Sequence, residues 1–257
     1  MTLVKDSWAA LRRYTPARVG LGRTGVSLPT ARHLELQEAL ALARNAVHAD
    51  FEPAAISAEL RALELESVMC ESAAPNRETY LRRPDLGRRL SPASRATLEL
   101  LQGSPVDLAL VVADGLSAAA TKSQSAALLG ALRDLLPTAS WRFSPVVLVR
   151  QGRVAVGDEV AALLGARAVV VLIGERPGLS AADSLGAYVT WAPRVGCRDS
   201  ERNCISNIRA EGLSIADGAR GLAALLSAAR AHQRTGVALS QLLAGQPSIS
   251  GAVPSGR

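Results

Sequence analysis

Ala168-Val-Val-Val-Leu-Ile-Gly174-Glu-Arg-Pro-Gly-Leu179 is the stretch that decides the fold. Its first six residues are apolar and four are Val or Ile, the pattern of a strand buried on both faces, as strands of a parallel sheet are. The run stops at Gly174, presents Glu175 and Arg176, and turns at Pro177-Gly178. An apolar strand ending in Gly, a charged pair and Pro-Gly is the form of a binding loop at the carboxyl edge of such a sheet. Downstream lies a dense polar string, Arg202-Asn-Cys204-Ile-Ser-Asn-Ile-Arg209. The two stretches are expected to line one crevice.

Working outward, 106–113 predicts another buried strand, followed by Asp114-Gly115-Leu116-Ser117. A long helix is expected over 118–136, with Leu128, Leu132 and Leu135 on one face and Pro137 at its end. Residues 145–149 predict a strand, 158–164 a helix and 187–191 a fourth strand. Ser214 is placed to cap a last helix, with Asp217 three residues on, an arrangement worth about 1 kcal/mol. That helix carries Ile215, Ala219, Leu222 and Leu226 and is expected to stop near Gly236. Strand alternating with helix predicts an α/β fold with a mainly parallel sheet, whose ligands sit beyond the carboxyl ends of the strands.

The first hundred residues read differently. Residues 30–50 are helical, with Leu36, Leu40, Ala43 and Val47 on one face. Pro53 opens a second helix, 66–70 is a short strand, Asn76 caps 77–81, and Ser91-Pro92 starts another helix. The expected division is therefore a mostly helical part over 1–103, a sheet domain over 104–243, and a disordered tail over 244–257, rich in Gly, Ser and Pro. At the amino end, Val4, Trp8 and Leu11 form a short apolar stripe, read as an arm packed on the chain or on a partner, with a docking peptide for encapsulation as the functional alternative.

Composition narrows the function classes. The 257 residues are 48% apolar but only 3% aromatic, so the core must be aliphatic. Twenty-nine basic and 23 acidic residues give a net charge of +6. The arginines are scattered and rarely near an aromatic, which lacks the basic stripe of a nucleic-acid binder. Cys70, Cys197 and Cys204 have no metal-ligand spacing, and an odd count without a signal peptide argues for a reducing cytosol. His33, His48 and His232 are too scattered for a metal site. No apolar run approaches the roughly 18 residues of a membrane span.

Gly20-Leu-Gly22-Arg-Thr-Gly25 is a literal G-x-G-x-x-G. The dinucleotide fingerprint needs a strand before it and a helix opening within it. Pro16 and Pro29 flank this copy and no apolar strand precedes it, so a turning, partner-facing segment is expected. A non-catalytic nucleotide- or nucleic-acid-binding protein is the alternative that this motif and the positive charge leave open. Glu175 reads as a surface ion pair or as an acceptor for ligand donors. Cys204 has no His within twenty residues and reads as a small apolar residue before it reads as a nucleophile. Asn203, Ser206 and Asn207 either bind a polar ligand or satisfy a turn. No triad, P-loop or carboxylate cluster is present.

Six strings together carry a family resemblance: Thr15-Pro-Ala-Arg-Val-Gly-Leu-Gly-Arg23, the Arg-rich run 80–90, Val112-Ala-Asp-Gly-Leu-Ser117, Gly152-Arg153-Val154, 174–179, and Asn203-Cys-Ile-Ser-Asn-Ile208. They resemble the small (light) subunit of ethanolamine ammonia-lyase from about Thr15 to His232. The resemblance implies a helical amino-terminal part followed by a Rossmann-like domain. It implies an adenosylcobalamin enzyme that converts ethanolamine to acetaldehyde and ammonia by radical chemistry, with cobalamin lying between this chain and a large subunit that carries the catalytic side chains. The family's cofactor-contacting positions fall on Val154, Glu175 and Cys204. No catalytic residue and no protein metal ligand is implied here, since no His follows the Asp-x-His-x-x-Gly pattern that replaces the lower base. Several large–small pairs assembled in one oligomer, in the cytoplasm and for some members inside a bacterial microcompartment, complete the expectation.

Overall fold

The computed structural model describes residues 6–103, 106–137 and 141–244. A 3-10 turn over Ser7–Arg13 begins it, with the Asp6 side chain accepting from Trp8 N at 2.9 Å. Trp8 is 66% exposed and no residue of the turn is buried, so this part of the arm does not pack by its apolar stripe. Val4 lies outside the described residues. Helix α1 (Thr30–His48) and helix α2 (Pro53–Ala62) follow. Only Ala39 and Ala46 of α1 are buried, and Leu40, expected on its inner face, is exposed. Leu36, Ala43 and Val47 keep the partly buried face with those alanines. The G-x-G-x-x-G segment makes turns with positive φ at all three glycines and an isolated bridge from Thr24 to Ser27, with no helix until Thr30. It therefore lacks the strand–turn–helix context of a dinucleotide site.

Strand β1 (Ser67–Glu71), helix α3 (Arg77–Arg82) and helix α4 (Pro92–Glu99) complete the first hundred residues. The caps are as the sequence suggests: Asn76 accepts from Thr79 N at 2.9 Å and Ser91 from Ser94 N at 3.2 Å. Then come strand β2 (Leu108–Ala113), helix α5 (Ala118–Leu135), strand β3 (Phe143–Arg150), helix α6 (Val156–Leu163) and strand β4 (Ala168–Gly174). Strand β5 (Leu185–Trp191), strand β6 (Asn203–Ile208), helix α7 (Ile215–His232) and helix α8 (Val237–Ala244) end the described chain.

All six strands share one sheet in the order β1-β3-β2-β4-β5-β6. The first four are parallel, while β5 runs antiparallel to β4 and β6 antiparallel to β5. The sheet is therefore mixed: the expected parallel arrangement holds from β1 to β4, and β5 and β6 depart from it. The cause is the connection after β4. Residues 175–184 form a loop with no helix, and a parallel return would need a crossover of about a dozen residues or more.

Alternate residues of each central strand feed two cores. Leu108, Leu110, Val112, Val170 and Leu172 pack under α2, α5 and α7, whereas Val111, Val147, Val149, Val169 and Val171 pack under α4 and α6. Every residue of β2 and β4 is buried, which is why neither shows polar alternation in sequence. On the second face, α6 lies over β2 and β4. Beyond it, on β5 and β6, Tyr188 is half-buried and Cys204 exposed.

Two elements depart from the sequence expectation. β6 falls in the string read only as polar, and α8 follows where the chain was expected to stop being helical. Ala244 ends α8, and the remainder of the expected tail lies outside the described residues.

Candidate functional site

From β2 the chain passes through α5 to β3 on one side, then through α6 to β4 on the other side of β2. Strand order thus reverses between β2 and β4, where an open α/β sheet forms its ligand crevice. The two strand ends are stitched together. Leu116 N donates to Gly174 O at 2.9 Å. Gly115 sits at φ +57°, where a Cβ would come 2.3 Å from that same carbonyl, and a Cβ on Gly174 would meet Ser117 O at 2.0 Å. Both glycines are required by this close approach.

Asp114, 4% exposed, ties β2 to β3: Gly152 N donates to its Oδ1 at 3.1 Å and Arg77 lies 3.4 Å from its Oδ2. Burial pushes its carboxyl up to about 6 against the pull of Arg77 and of the backbone donors. Arg77 also donates to Gly115 O at 2.8 Å and to Val47 O at 2.8 Å, joining α1 and α3 to the crevice. The Arg-rich run supplies a second joint. Buried Tyr80 donates to Gly152 O at 3.1 Å, and the guanidiniums of Arg77 and Arg153 lie 4.8 and 4.2 Å from its ring centroid.

A cavity of 420 Å³ opens at the reversal point, lined by Gly115, Leu116, Arg153, Val154, Glu175 and Tyr188 among others. Two of the three sequence-chosen residues, Val154 and Glu175, therefore share one cavity. Val154 lies in the turn that leads from β3 into α6. Glu175 begins the loop after β4, and that loop closes at its base through Glu175 N donating to Ser184 O at 2.9 Å. The Glu175 carboxylate accepts from the Ser184 hydroxyl and from Asn207 N at 3.3 Å, so Oε2 is held by both. The carboxylate rests over Gly186, where a Cβ would lie 2.9 Å from Oε1.

Cys204 does not line that cavity. It pairs across the strands with Tyr188, which does, so the two occupy adjoining positions on the same sheet face. Desolvation, with the Glu175 charge adding to it, holds the Cys204 thiol above its ordinary range, partly offset by the Tyr188 hydroxyl. Desolvation likewise raises the Tyr188 phenol, and Cys204 and Glu175 add to the shift. Both groups stay protonated at neutral pH, which argues against a thiolate nucleophile here.

The polar string around Cys204 is mostly structural. Asn203 binds Gly236 N at 2.6 Å and Ser240 Oγ at 3.1 Å, fastening β6 to α8. Asn207 takes a left-handed φ of +59° and accepts from Arg209 Nε at 2.9 Å. The register slips there: Leu185 faces Ile208 while Ala187 faces Ile205, so β6 carries one extra residue. This bulge turns the Asn207 N–H toward Glu175, a re-aiming that bulges near sites commonly perform.

Arg202 and Asp158 form a bidentate pair at 2.6 and 2.7 Å, with side chains 2% and 1% exposed. Arg202 also donates to Thr190 Oγ1 at 3.0 Å and Cys197 O at 2.9 Å. One guanidinium thus links the limb that follows Val154 to the one that precedes Cys204. Sequence reasoning missed this pair, together with Tyr188, Ser184 and Gly186. Gly186 alone carried a signal, since glycine inside a strand marks a close approach.

The site's own polar groups are acceptors, hydroxyls and guanidiniums without a proton-shuttling pair. His33 and His48 lie on α1 and His232 ends α7. Among the described residues there is no group of three or more His, Cys, Asp or Glu side chains placed to hold a metal ion. No helix of the described residues is long and apolar enough to cross a membrane.

Fold and crevice together define a three-layer α/β protein whose candidate site is a broad, one-sided surface. The family model described as "Ethanolamine ammonia-lyase light chain (EutC)" matches residues 5–240. A relative from Xanthomonas campestris pv. campestris, named "Ethanolamine ammonia-lyase small subunit", is 52% identical over 257 residues, covering 97% of this chain and 94% of its own. Relatives of the same name from Azotobacter vinelandii and Pseudomonas syringae pv. tomato are 54% and 53% identical, over 91% of this chain and 88% and 83% of theirs. The chain belongs to the ethanolamine ammonia-lyase small-subunit family.

Proposed function

We propose that this chain is the cofactor-binding half of a two-subunit lyase that turns ethanolamine into acetaldehyde and ammonia. It acts only together with a large subunit, and the catalytic side chains stand on that subunit. The relatives' name, "small subunit", supports a larger partner. On this reading several large–small pairs assemble in the cytoplasm or a bacterial microcompartment, and residues 104–243 form the cofactor-binding unit, with 1–103 adding helices and the edge strand β1 to it.

The observation that carries the reading is the convergence of the Val154 and Glu175 limbs on one crevice, beside an open sheet face that bears Cys204. The residues fit adenosylcobalamin, a bulky ligand rimmed with amides. Glu175 offers a fixed carboxylate acceptor, Tyr188 and Cys204 a flat and protonated floor, and the Val154 turn exposed backbone. When bound, adenosylcobalamin supplies the radical that takes hydrogen from substrate. This chain's residues bind and orient it and cover one side against water. Glu175 is suited to accept from an amide N–H at the rim, with Ser184 and Asn207 N–H keeping its carboxylate in place. The raised Tyr188 and Cys204 keep further negative charge away from that spot.

The test is reconstitution. The purified chain, a large subunit and adenosylcobalamin are mixed and acetaldehyde is followed from ethanolamine. Full activity without this chain would refute the reading. Glu175→Ala is expected to weaken the cofactor titration by about tenfold, the size of one lost charge-assisted hydrogen bond, while the ethanolamine KM stays near wild type. An unchanged cofactor titration would remove Glu175 from the site.

A further inference from the structure

Beside the crevice lies a second cavity of 490 Å³, whose lining includes Arg88, Arg153, Arg198, Val154, Ala155 and Asp199. Arg153 and Val154 line both cavities, so the two are neighbours around a single turn. Among the described residues, none of the three arginines has a carboxylate within 4 Å, in contrast to Arg83, Arg95, Arg194 and Arg202 nearby.

Arg153 is fixed but not satisfied. Its backbone N donates to Gly87 O at 2.7 Å, and its guanidinium stacks on Tyr80 and reaches Tyr80 O at 3.5 Å. A Cβ on Gly87 would lie 2.9 Å from Arg153 Cγ, so that glycine lets the side chain lie down on the ring. Yet Arg153 Nε is buried without an acceptor. Arg153 thus brings a fixed positive charge to the cavity wall, while its sealed Nε stays out of reach of an outside oxygen.

The surroundings favour an anion. α6 opens at this cavity, with Ala155 at its cap position and no side chain satisfying the first turn. The N–H groups of Val156, Gly157 and Asp158 already donate to the carbonyls of Arg153, Val154 and Ala155, so this helix end adds only the positive end of its dipole to the three guanidiniums. The acids of that turn are already engaged, Asp158 by Arg202 and Glu159 by Arg95. Asp199 is the one acid lining the cavity; its side chain is 99% exposed and stands 3.7 Å from Arg202 Nε. Guanidinium geometry suits the paired oxygens of a phosphate ester better than a lone carbonyl.

We propose that this second cavity takes the phosphodiester of a corrinoid's nucleotide tail, with Arg88, Arg153 and Arg198 as its ligands. The inference rests on the cofactor reading above and extends it to the part of the ligand that leaves the corrin plane. Arg88 and Arg198 are exposed and make no ion pair in the described fold, so replacing both with Gln tests binding without undoing packing.

The Arg88→Gln/Arg198→Gln double variant, assembled with the large subunit, is titrated by absorbance with adenosylcobalamin and with adenosylcobinamide, which lacks the nucleotide tail. The expected result is a loss of about tenfold or more in adenosylcobalamin affinity with adenosylcobinamide unchanged. Equal loss for both corrinoids, or no change for either, would overturn the subsite and leave the cofactor reading standing. Wild-type complex that binds neither corrinoid would bring down both. Inorganic phosphate should compete with adenosylcobalamin on the wild type and spare adenosylcobinamide. Saturable phosphate binding that persists when adenosylcobalamin is saturating would assign the cavity to free phosphate instead.

Discussion

The two halves of the sheet obey different rules. From β1 to β4 the strands are parallel, and β2 and β4 are sealed on both faces by two helical layers. From β5 to β6 they are antiparallel, with α7 packed on one face and Cys204 exposed on the sheet. The first half holds the fold and the second offers a surface. The candidate site lies where they meet, because only there do rigid strand ends adjoin an uncovered wall. Precision comes from the sealed half and access from the open one.

That contrast can be broken most severely at the pair that bolts the halves together. Asp158→Ala strands the Arg202 charge in a buried site and should cost about 3–5 kcal/mol in urea unfolding. Replacing both members with apolar residues of similar volume should recover most of that loss. A small effect of the single variant would mean that the pair does not hold the two limbs.

Next in size is a matched pair of truncations. Leu172→Ala, in the sealed half, should cost about 3 kcal/mol. Cys204→Ala, on the open face, should cost less than about 1 kcal/mol, since it leaves no buried cavity and the Tyr188 hydroxyl that loses the thiol is only half-buried. Equal losses would show that the open face is packed after all.

The gentlest probe is pH. Asp114 titrates at about 6 in the folded chain against 3.8 for the free side chain. Between those values the folded state holds a proton that the unfolded state has released, so this group makes stability fall as pH rises, with the deficit complete above about pH 6. Its size is on the order of 2–3 kcal/mol at most. Asp107, held low by Arg142, pulls the opposite way, which makes the comparison with Asp114→Asn the informative one. Urea midpoints at pH 4.5 and 7.5 should show the variant gaining relative to wild type at the higher pH. No relative gain would mean that Asp114 is not desolvated at the β2 end.

What the sequence made legible follows the same divide. Strands of the sealed half announce themselves as unbroken apolar runs, and the turns after them by Asp114-Gly115 and Gly174-Glu175. β6 stayed hidden because its two inward residues, Ile205 and Ile208, are three apart, and the bulge at Asn207 hides the period of two. The antiparallel turn of β5 was missed because a buried apolar run has no direction in sequence; only the loop length after β4 speaks to it. Glu175 was reachable from the end of the apolar run itself, and Val154 only through the resemblance. Their neighbours Tyr188 and Ser184 were not, because residues brought together by strand pairing share no local motif. The Asp158–Arg202 pair was hidden for the same reason, its partners being 44 residues apart.

Gly186 makes a final point about how such a wall is shaped. The Glu175 carboxylate lies where it does because the strand beneath it omits a methyl group, and an alanine there would press on both Glu175 and the Tyr188 ring. The posture of the polar group is thus inherited from an empty place in the backbone's neighbour. A redesign that copied every functional side chain onto another scaffold and filled that gap would reproduce the chemistry on paper and lose it in three dimensions.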